Sequence, residues 1–189
     1  MQFATIATRA QVGIDAPSVL VEIHLSSGLP HTTIVGLPET AVRESKDRVR
    51  SALLNSHFEF PLSRITINLA PADLPKDGGG RYDLAIALGI LGASQQLPGA
   101  SFGGFEFIGE LALNGEIRPV CGALPAARAC HAAGRTLILP SDNAAEAARI
   151  PGASVIPARN LLQVCAHLNG SVLIDPQQPL PAAPRTPPA

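Results

Sequence analysis

Alternating apolar and polar side chains predict β-strands in the first 36 residues. In the segment 18–28, Val19, Val21, Ile23 and Leu25 recur at every second position with polar residues between them. This period of two is typical of a half-buried strand. The segments 2–10 and 31–36 are also rich in β-branched residues, as is 64–71, and we predict strands there too. His24 and His31 are predicted to be exposed strand residues.

The apolar period becomes helical after Pro38, a residue favoured in the first turn of a helix. Val42, Val49 and Leu53 recur at helical spacing, which predicts a helix over residues 38–57 with these side chains in the core.

Three cations of this predicted helix share another stripe. Arg43, Lys46 and Arg50 are spaced i, i+3 and i+7, so they should lie together on the exposed side. Pairs along the helix, Glu44 with Arg48 and Asp47 with Arg50, would dilute their charge. Two interpretations stay open: a solvated helix face, or a surface that contacts phosphates.

A proline- and glycine-rich loop then leads into a helix predicted over 82–94 that is apolar on nearly every side. Such a helix must be buried on several faces, and the loop before it leaves backbone N–H groups free to face an anion. Lys76 and Arg81 flank the loop and are candidate phosphate contacts. The structural alternative is that Lys76 caps carbonyl groups and Arg81 pairs with Asp77 or Asp83.

The second half of the chain alternates strands and helices. A strand is predicted at 105–113, and Asn114-Gly115 predicts a hairpin to a returning strand at 116–120. Gly134 predicts the end of a helix that begins near 122. Further strands are predicted at 135–140 and 153–158, with helices at 141–150 (capped by Ser141 or Asp142) and 160–170. The expected fold class is therefore α/β (α+β), with mixed sheets packed against helices, in one domain over residues 1–174. Residues 175–189 are proline-rich and are predicted to form a linker or tail.

Charge and cysteine content limit the classes of function that the chain could have. The net charge is −1, so any contact with nucleic acid must come from a local patch. The three cysteines form no CxxC pair, which argues against zinc and a disulfide framework; Cys121 and Cys130 are predicted to be buried thiols. We expect no metal site. With no export signal and no apolar run long enough for a membrane span, the expected location is the cytoplasm.

The sequence also argues against catalysis by this chain. The run Gly78-Gly79-Gly80 is followed by Arg81, not by the Lys-Ser or Lys-Thr of a nucleotide-binding loop. A Ser–Lys dyad needs a lysine near its serine, but the chain has only Lys46 and Lys76 and none further on.

Several motifs nevertheless resemble a hydrolase. PKDGGGRYDLAIAL, FIGELALNGEIRPV and AGRTLILP resemble the C-terminal domain of Lon protease, whose fold is that of ribosomal protein S5 domain 2. In that family the loop reads PKDGPSAG with the serine as nucleophile, so Gly80 falls at the lost-nucleophile position. The family's catalytic lysine lies early in the helix that here reads GALPAARACHAAG, which contains no lysine. The resemblance therefore implies this fold without its protease chemistry and without catalytic residues.

A second resemblance covers nearly the whole chain. GLPETAVRESKDRVRSAL together with PKDGGGRYDLAIA resembles the N-terminal domain of the ComM/YifB family of magnesium-chelatase-like AAA+ proteins. This implies a non-catalytic domain of a hexameric helicase that drives branch migration during natural transformation. ATP and Mg²⁺ would bind in an AAA+ core beyond residue 189. That core is also an expected partner of this domain.

The expected role is to engage DNA or to guide it into the ring, with no membrane contact. The candidate DNA-binding residues are Arg43, Lys46, Arg50, Lys76 and Arg81. The alternative is a protein-interaction or ring-assembly domain that does not touch DNA, and the near-neutral charge favours it.

Overall fold

The computed structural model describes residues 2–180 and 187–188. Its nine strands and six helices confirm the α+β class within this range. The strands are β1 (Phe3–Arg9), β2 (Ser18–Ser26), β3 (His31–Val35), β4 (Arg64–Ala70), β5 (Phe105–Phe107), β6 (Glu110–Leu111), β7 (Ile117–Arg118), β8 (Thr136–Pro140) and β9 (Ser154–Ala158). The helices are α1 (Thr40–Arg43), α2 (Ser45–Asn55), α3 (Asp83–Ala93), α4 (Ala123–Ala132), α5 (Ala144–Ala147) and α6 (Leu161–Leu168).

The first sheet has the strand order β1-β2-β4-β3. Strand β2 is antiparallel to both β1 and β4, whereas β3 is parallel to β4 and forms an edge. The predicted apolar face is confirmed, because Val19, Val21, Ile23 and Leu25 are all buried while His24 on the opposite face is exposed.

Helices α2 and α3 cover the buried face of this sheet. Helix α3 contacts β1 and β2, and ten of its eleven residues are buried, which confirms the prediction of a helix apolar on nearly every side. The predicted helix 38–57 is wrong as a single element. It begins at Thr40 and is interrupted at Glu44, so one short turn, α1, precedes the longer α2.

The second sheet has the parallel order β5-β8-β9 and packs against the alanine-rich helices α4 and α5. The predicted strand 105–113 is wrong as one element, because β5 joins this sheet while β6 turns into a separate hairpin with β7. The hairpin at Asn114-Gly115 is confirmed, since Ala112 N–H donates to the Glu116 carbonyl across the turn.

Two helix ends test the capping predictions. Gly134 has φ of +70° after α4, and its N–H donates to the His131 carbonyl, which confirms the predicted stop. The predicted cap at Ser141 or Asp142 is wrong: Asn143 is the residue just before α5, and its side chain bonds both backbone groups of Val120. This side chain therefore joins two loops instead of capping a helix.

The chain leaves α6 along the second sheet. Ile174 is buried, and Gln177 N–H donates to the Val155 carbonyl of β9 at 2.9 Å. The predicted linker 175–189 lies partly outside the described residues, at 181–186 and 189. The predicted domain boundary at 174 stays a prediction.

Candidate nucleic-acid interface

The α1–α2 segment exposes the three cations that the sequence placed on one stripe. Buried residues alternate with them: Val42, Ser45, Val49, Ala52 and Leu53 face the core. Arg43, Lys46 and Arg50 lie between these positions, and all three are exposed to solvent. The interruption at Glu44 does not remove any of them from the surface.

These side chains line a continuous groove between the helices and edge strand β3. One hollow of about 160 Å³ is bounded by residues 31–34 of β3 together with Arg43 and Lys46. An adjoining hollow of about 240 Å³ is bounded by His31, Lys46, Asp47, Arg50 and the loop 60–63. Because the hollows share His31, Thr32 and Lys46, they form one surface, which we call the basic groove.

The acidic neighbours neutralise this groove less than the sequence suggests. Glu44 contacts Arg48 at 3.6 Å, as expected for an i, i+4 pair. The expected pair of Asp47 with Arg50 is not among the ion pairs of the described residues; the Arg50 guanidinium instead lies 5.0 Å from the centre of the Phe60 ring. This cation–π contact leaves the Arg50 charge uncancelled.

Lys76 is not part of this groove, which corrects its prediction as a phosphate contact. Its side chain is buried, and the residue is only 1% exposed. The ammonium group donates to the Gly36 carbonyl at 2.7 Å and to the Pro71 carbonyl, so it ties the loop after β3 to the loop after β4. Burial lowers the pKa of Lys76, and nearby Asp73 opposes that shift. These two hydrogen bonds agree with the alternative prediction that Lys76 caps carbonyl groups.

Arg81 is also a structural cation, and its prediction as a phosphate contact needs the same correction. It is 1% exposed, and its guanidinium donates to the Arg9 carbonyl at 2.9 Å and to the Cys121 carbonyl at 2.7 Å. Among the described residues, neither Asp77 nor Asp83 forms an ion pair with it. Burial lowers the pKa of Arg81.

The glycine-rich loop does not present the open anion site that its composition suggested. Gly79–Tyr82 forms a 3-10 turn that runs directly into α3. The Leu84 N–H at the start of that helix donates to the Gly109 carbonyl at 3.1 Å. Asp83 beside it is fully buried and accepts from Arg48 at 2.7 Å and from the Leu111 N–H at 3.1 Å. The helix start is therefore occupied by the protein's own groups.

Gly80, which the resemblance predicts to be the lost-nucleophile position, has no free space for a side chain. A Cβ atom built on Gly80 would lie 2.4 Å from Glu110 Cγ, closer than two such carbons can approach. The Glu110 side chain therefore occupies the space that a serine side chain would need.

The three cysteines differ in their exposure to solvent. Cys121 is exposed, so the prediction of a buried thiol is wrong at this position and confirmed for Cys130. Burial raises the pKa of both Cys130 and Cys165 to about 12, which holds these thiols neutral. Within residues 2–180 and 187–188, no group of three His, Cys, Asp or Glu residues could hold a metal ion, and no helix is long and apolar enough to cross a membrane.

Sequence reasoning missed two residues of the basic groove. His31 begins β3, is exposed and lines both hollows. Phe60 comes from the loop after α2 and supports Arg50. These residues meet through strand pairing and loop packing, for which the local sequence carries no signal.

Fold and site together define an α+β domain with a basic surface groove and a glycine-rich loop built around buried cations. The family model described as subunit ChlI of Mg-chelatase matches residues 21–143. The chain is 51% identical over 170 residues to YifB of Salmonella typhimurium strain LT2, which covers 90% of this chain and 33% of that protein. It is 49% identical over 183 residues to competence protein ComM of Haemophilus influenzae strain Rd, covering 97% of this chain and 35% of that one.

The chain therefore belongs to the magnesium-chelatase ChlI-type family, and within it to the ComM/YifB group. YifB of Escherichia coli K12 gives a similar match, at 48% identity over 98% of this chain. The chain spans about a third of the length of these relatives.

Proposed function

We propose that this chain is the non-catalytic N-terminal domain of a ComM/YifB-type hexameric AAA+ DNA motor. In this proposal the motor is a branch-migration helicase that acts in natural transformation and recombination. The domain engages DNA or guides it into the ring, and ATP and Mg²⁺ bind in the AAA+ core. Membership of the ComM/YifB group supports the proposal, as does the coverage of only about a third of each relative.

The observation that carries the DNA contact is the exposure of Arg43, Lys46 and Arg50 along one groove. Three phosphate contacts give a salt dependence of about −2.7 in log K against log salt, so binding weakens roughly 40-fold between 50 and 200 mM. One subunit therefore binds weakly. Six copies around a ring act together and multiply the affinity without any new contact.

The proposal that the domain is non-catalytic rests on the absence of both members of the Ser–Lys dyad. Position 80 is a glycine whose side-chain space Glu110 occupies, and α4 contains no lysine. Arg128 is the basic residue of α4 besides His131, but a guanidinium does not lose its proton in proteins and cannot act as the general base. A serine nucleophile at this site would have neither its position nor the lysine base of the Lon-type dyad.

The second candidate is a ring-assembly domain that does not touch DNA. The net charge of −1 favours it, and so do exposed leucines beside the groove. Leu62, which lines the groove, is 84% exposed, and Leu54 is 47% exposed. Apolar side chains of this kind are common in contacts between subunits.

A titration of forked and duplex DNA separates the two candidates. The 189-residue chain and the full-length protein are each measured by fluorescence anisotropy at two salt concentrations. DNA contact predicts salt-dependent binding that is tighter for the full-length protein and weakened when Arg43, Lys46 and Arg50 are all changed to glutamate. The matched control is Arg149→Glu, an exposed arginine outside the groove. Ring assembly predicts no effect of the triple variant on DNA, but loss of the hexamer when residues 1–174 are deleted.

A further inference from the structure

Strand β3 leaves one side of its backbone unpaired. It is the edge of the first sheet, and its pairing partner is β4 alone. Within the described residues, no other backbone or side-chain hydrogen bond reaches residues 31–35. Along any strand the N–H and C=O groups point alternately to its two sides, so β3 presents a row of unused donors and acceptors on its outer side.

The space beside this edge is shaped for an extended chain. The basic groove runs along β3, with Thr32, Thr33 and Ile34 on one wall and Arg43 and Lys46 on the other. It continues past His31 towards the loop 60–63. Five strand residues extend over about 16 Å. Residues 31–35 contain neither proline nor a charged Asp, Glu, Lys or Arg side chain, so nothing within the strand blocks the addition of another strand.

The positive charge of the basic groove indicates which kind of segment would bind beside β3. Arg43, Lys46 and Arg50 line the groove, and Asp47 is the acidic residue among its lining residues. A second copy of this chain, paired edge to edge about a two-fold axis, would bring the same cations towards each other, which is unfavourable. An extended segment with acidic side chains meets opposite charge and fills the backbone positions as well.

We infer that the free edge of β3 accepts an extended, acidic segment of a partner protein as an added strand. Backbone hydrogen bonds to β3 supply the affinity, and carboxylates on Arg43, Lys46 and Arg50 supply the selectivity, as in other cases of strand addition. The inference does not depend on the proposed DNA contact, because phosphates use the cations and not the strand edge. Where both are correct, the segment and DNA compete for the same cations.

The test uses a synthetic octapeptide in which glutamate alternates with valine, titrated into ¹⁵N-labelled chain. The expected result is saturable binding, with the largest amide shifts and new protection from hydrogen exchange at Thr32, Thr33 or Ile34. The same peptide N-methylated at every residue keeps its charges but has no donors. Its affinity should fall at least about tenfold, since two or more hydrogen bonds are lost.

Two variants of the chain test whether the cations of the groove contribute to peptide binding. The Arg43→Gln/Lys46→Gln variant should weaken binding of the unmethylated peptide, whereas Arg149→Gln should not change it. Equal binding of the methylated peptide, amide shifts away from β3, or no binding at millimolar peptide would each overturn the inference. None of these results bears on the DNA titration, so failure here is distinguishable from failure of the proposed function.

Discussion

Glycine at position 80 has a packing role as well as a place in the resemblance to a protease. The Glu110 side chain lies where a Cβ on residue 80 would be, at 2.4 Å from its Cγ. Any side chain at this position must first displace Glu110. A side chain at residue 80 and the observed position of Glu110 therefore exclude each other.

The first prediction is that Gly80→Ala destabilises the fold by about 1–3 kcal/mol, the usual cost of overpacking. The cost should be clearly smaller in a Glu110→Ala background, because the obstructing side chain is then gone. Urea unfolding of the two single variants and the double variant measures this coupling. The control is Gly103→Ala, where a Cβ would meet no atom within 4 Å. An equal cost of Gly80→Ala in both backgrounds would show that Glu110 is not the obstacle.

Two of the five candidate site residues, Lys76 and Arg81, could not be assigned correctly from sequence. Lys46 and Lys76 are both lysines in polar surroundings of the sequence, yet one is exposed and the other is 1% exposed. Helical spacing placed Arg43, Lys46 and Arg50 correctly relative to the buried residues between them. Lys76 and Arg81 flank an irregular loop with no such period, and their side chains bond carbonyl groups of other loops and strands, at positions 36, 71, 9 and 121.

At the scale of elements, one buried ion pair joins α2 to the start of α3. Arg48 donates to Asp83 through two nitrogens, at 2.7 and 3.2 Å, and Asp83 also accepts the Leu111 N–H of β6. The carboxylate of Asp83 is fully buried. Removing its partner would leave a buried charge with too few hydrogen bonds.

Arg48→Met is therefore expected to cost about 3–5 kcal/mol of unfolding free energy. Lys46→Met is the matched control in the same helix; Lys46 is exposed, and its replacement should change stability by no more than about 0.5 kcal/mol. Chemical denaturation of both variants checks the difference. Similar values for the two would mean that the pair does not stabilise the packing of α2 on α3.

A second element contact depends on pH. The His167 Nδ1 atom of α6 accepts the Ile174 N–H at 2.9 Å, and burial lowers the pKa of this histidine below 6.5. Between the two pKa values the unfolded chain binds more protons than the folded one, so stability falls as pH falls from about 6.5 to the folded value. Protonated Nδ1 can no longer accept the hydrogen bond.

We expect the urea midpoint of the unchanged chain to fall more between pH 7 and pH 5 than that of His167→Gln. His24→Gln replaces an exposed strand histidine and should keep the full pH dependence. Parallel pH profiles for the unchanged chain and His167→Gln would contradict the assignment of this hydrogen bond as the titrating contact.

Elements were predicted well where their period was regular and poorly where their partners were distant. The alternation in β2 and the apolar character of nearly every side of α3 could be predicted because each pattern is local. The division of 105–113 between two sheets could not, since β5 pairs with β8 about 30 residues later while β6 pairs with β7. A strand pattern gives the faces of a strand but not the neighbour on either side.

At the scale of the whole molecule, two sets of cations have different surroundings. Arg9, Lys76 and Arg81 are buried and bond carbonyl or carboxylate groups inside the fold. Arg43, Lys46 and Arg50 remain exposed on one groove. A net charge of −1 is therefore compatible with a local concentration of positive charge in the basic groove.

The most direct test of this account is the salt dependence of DNA binding by the 189-residue chain. For the unchanged chain, log K against log salt should have a slope of about −2.7, as expected for three phosphate contacts on duplex DNA. The variant Arg43→Gln/Lys46→Gln/Arg50→Gln should bring that slope close to zero, while Arg149→Gln leaves it unchanged. A triple variant that binds DNA with the unchanged slope would contradict the central claim that the basic groove is the surface that contacts DNA.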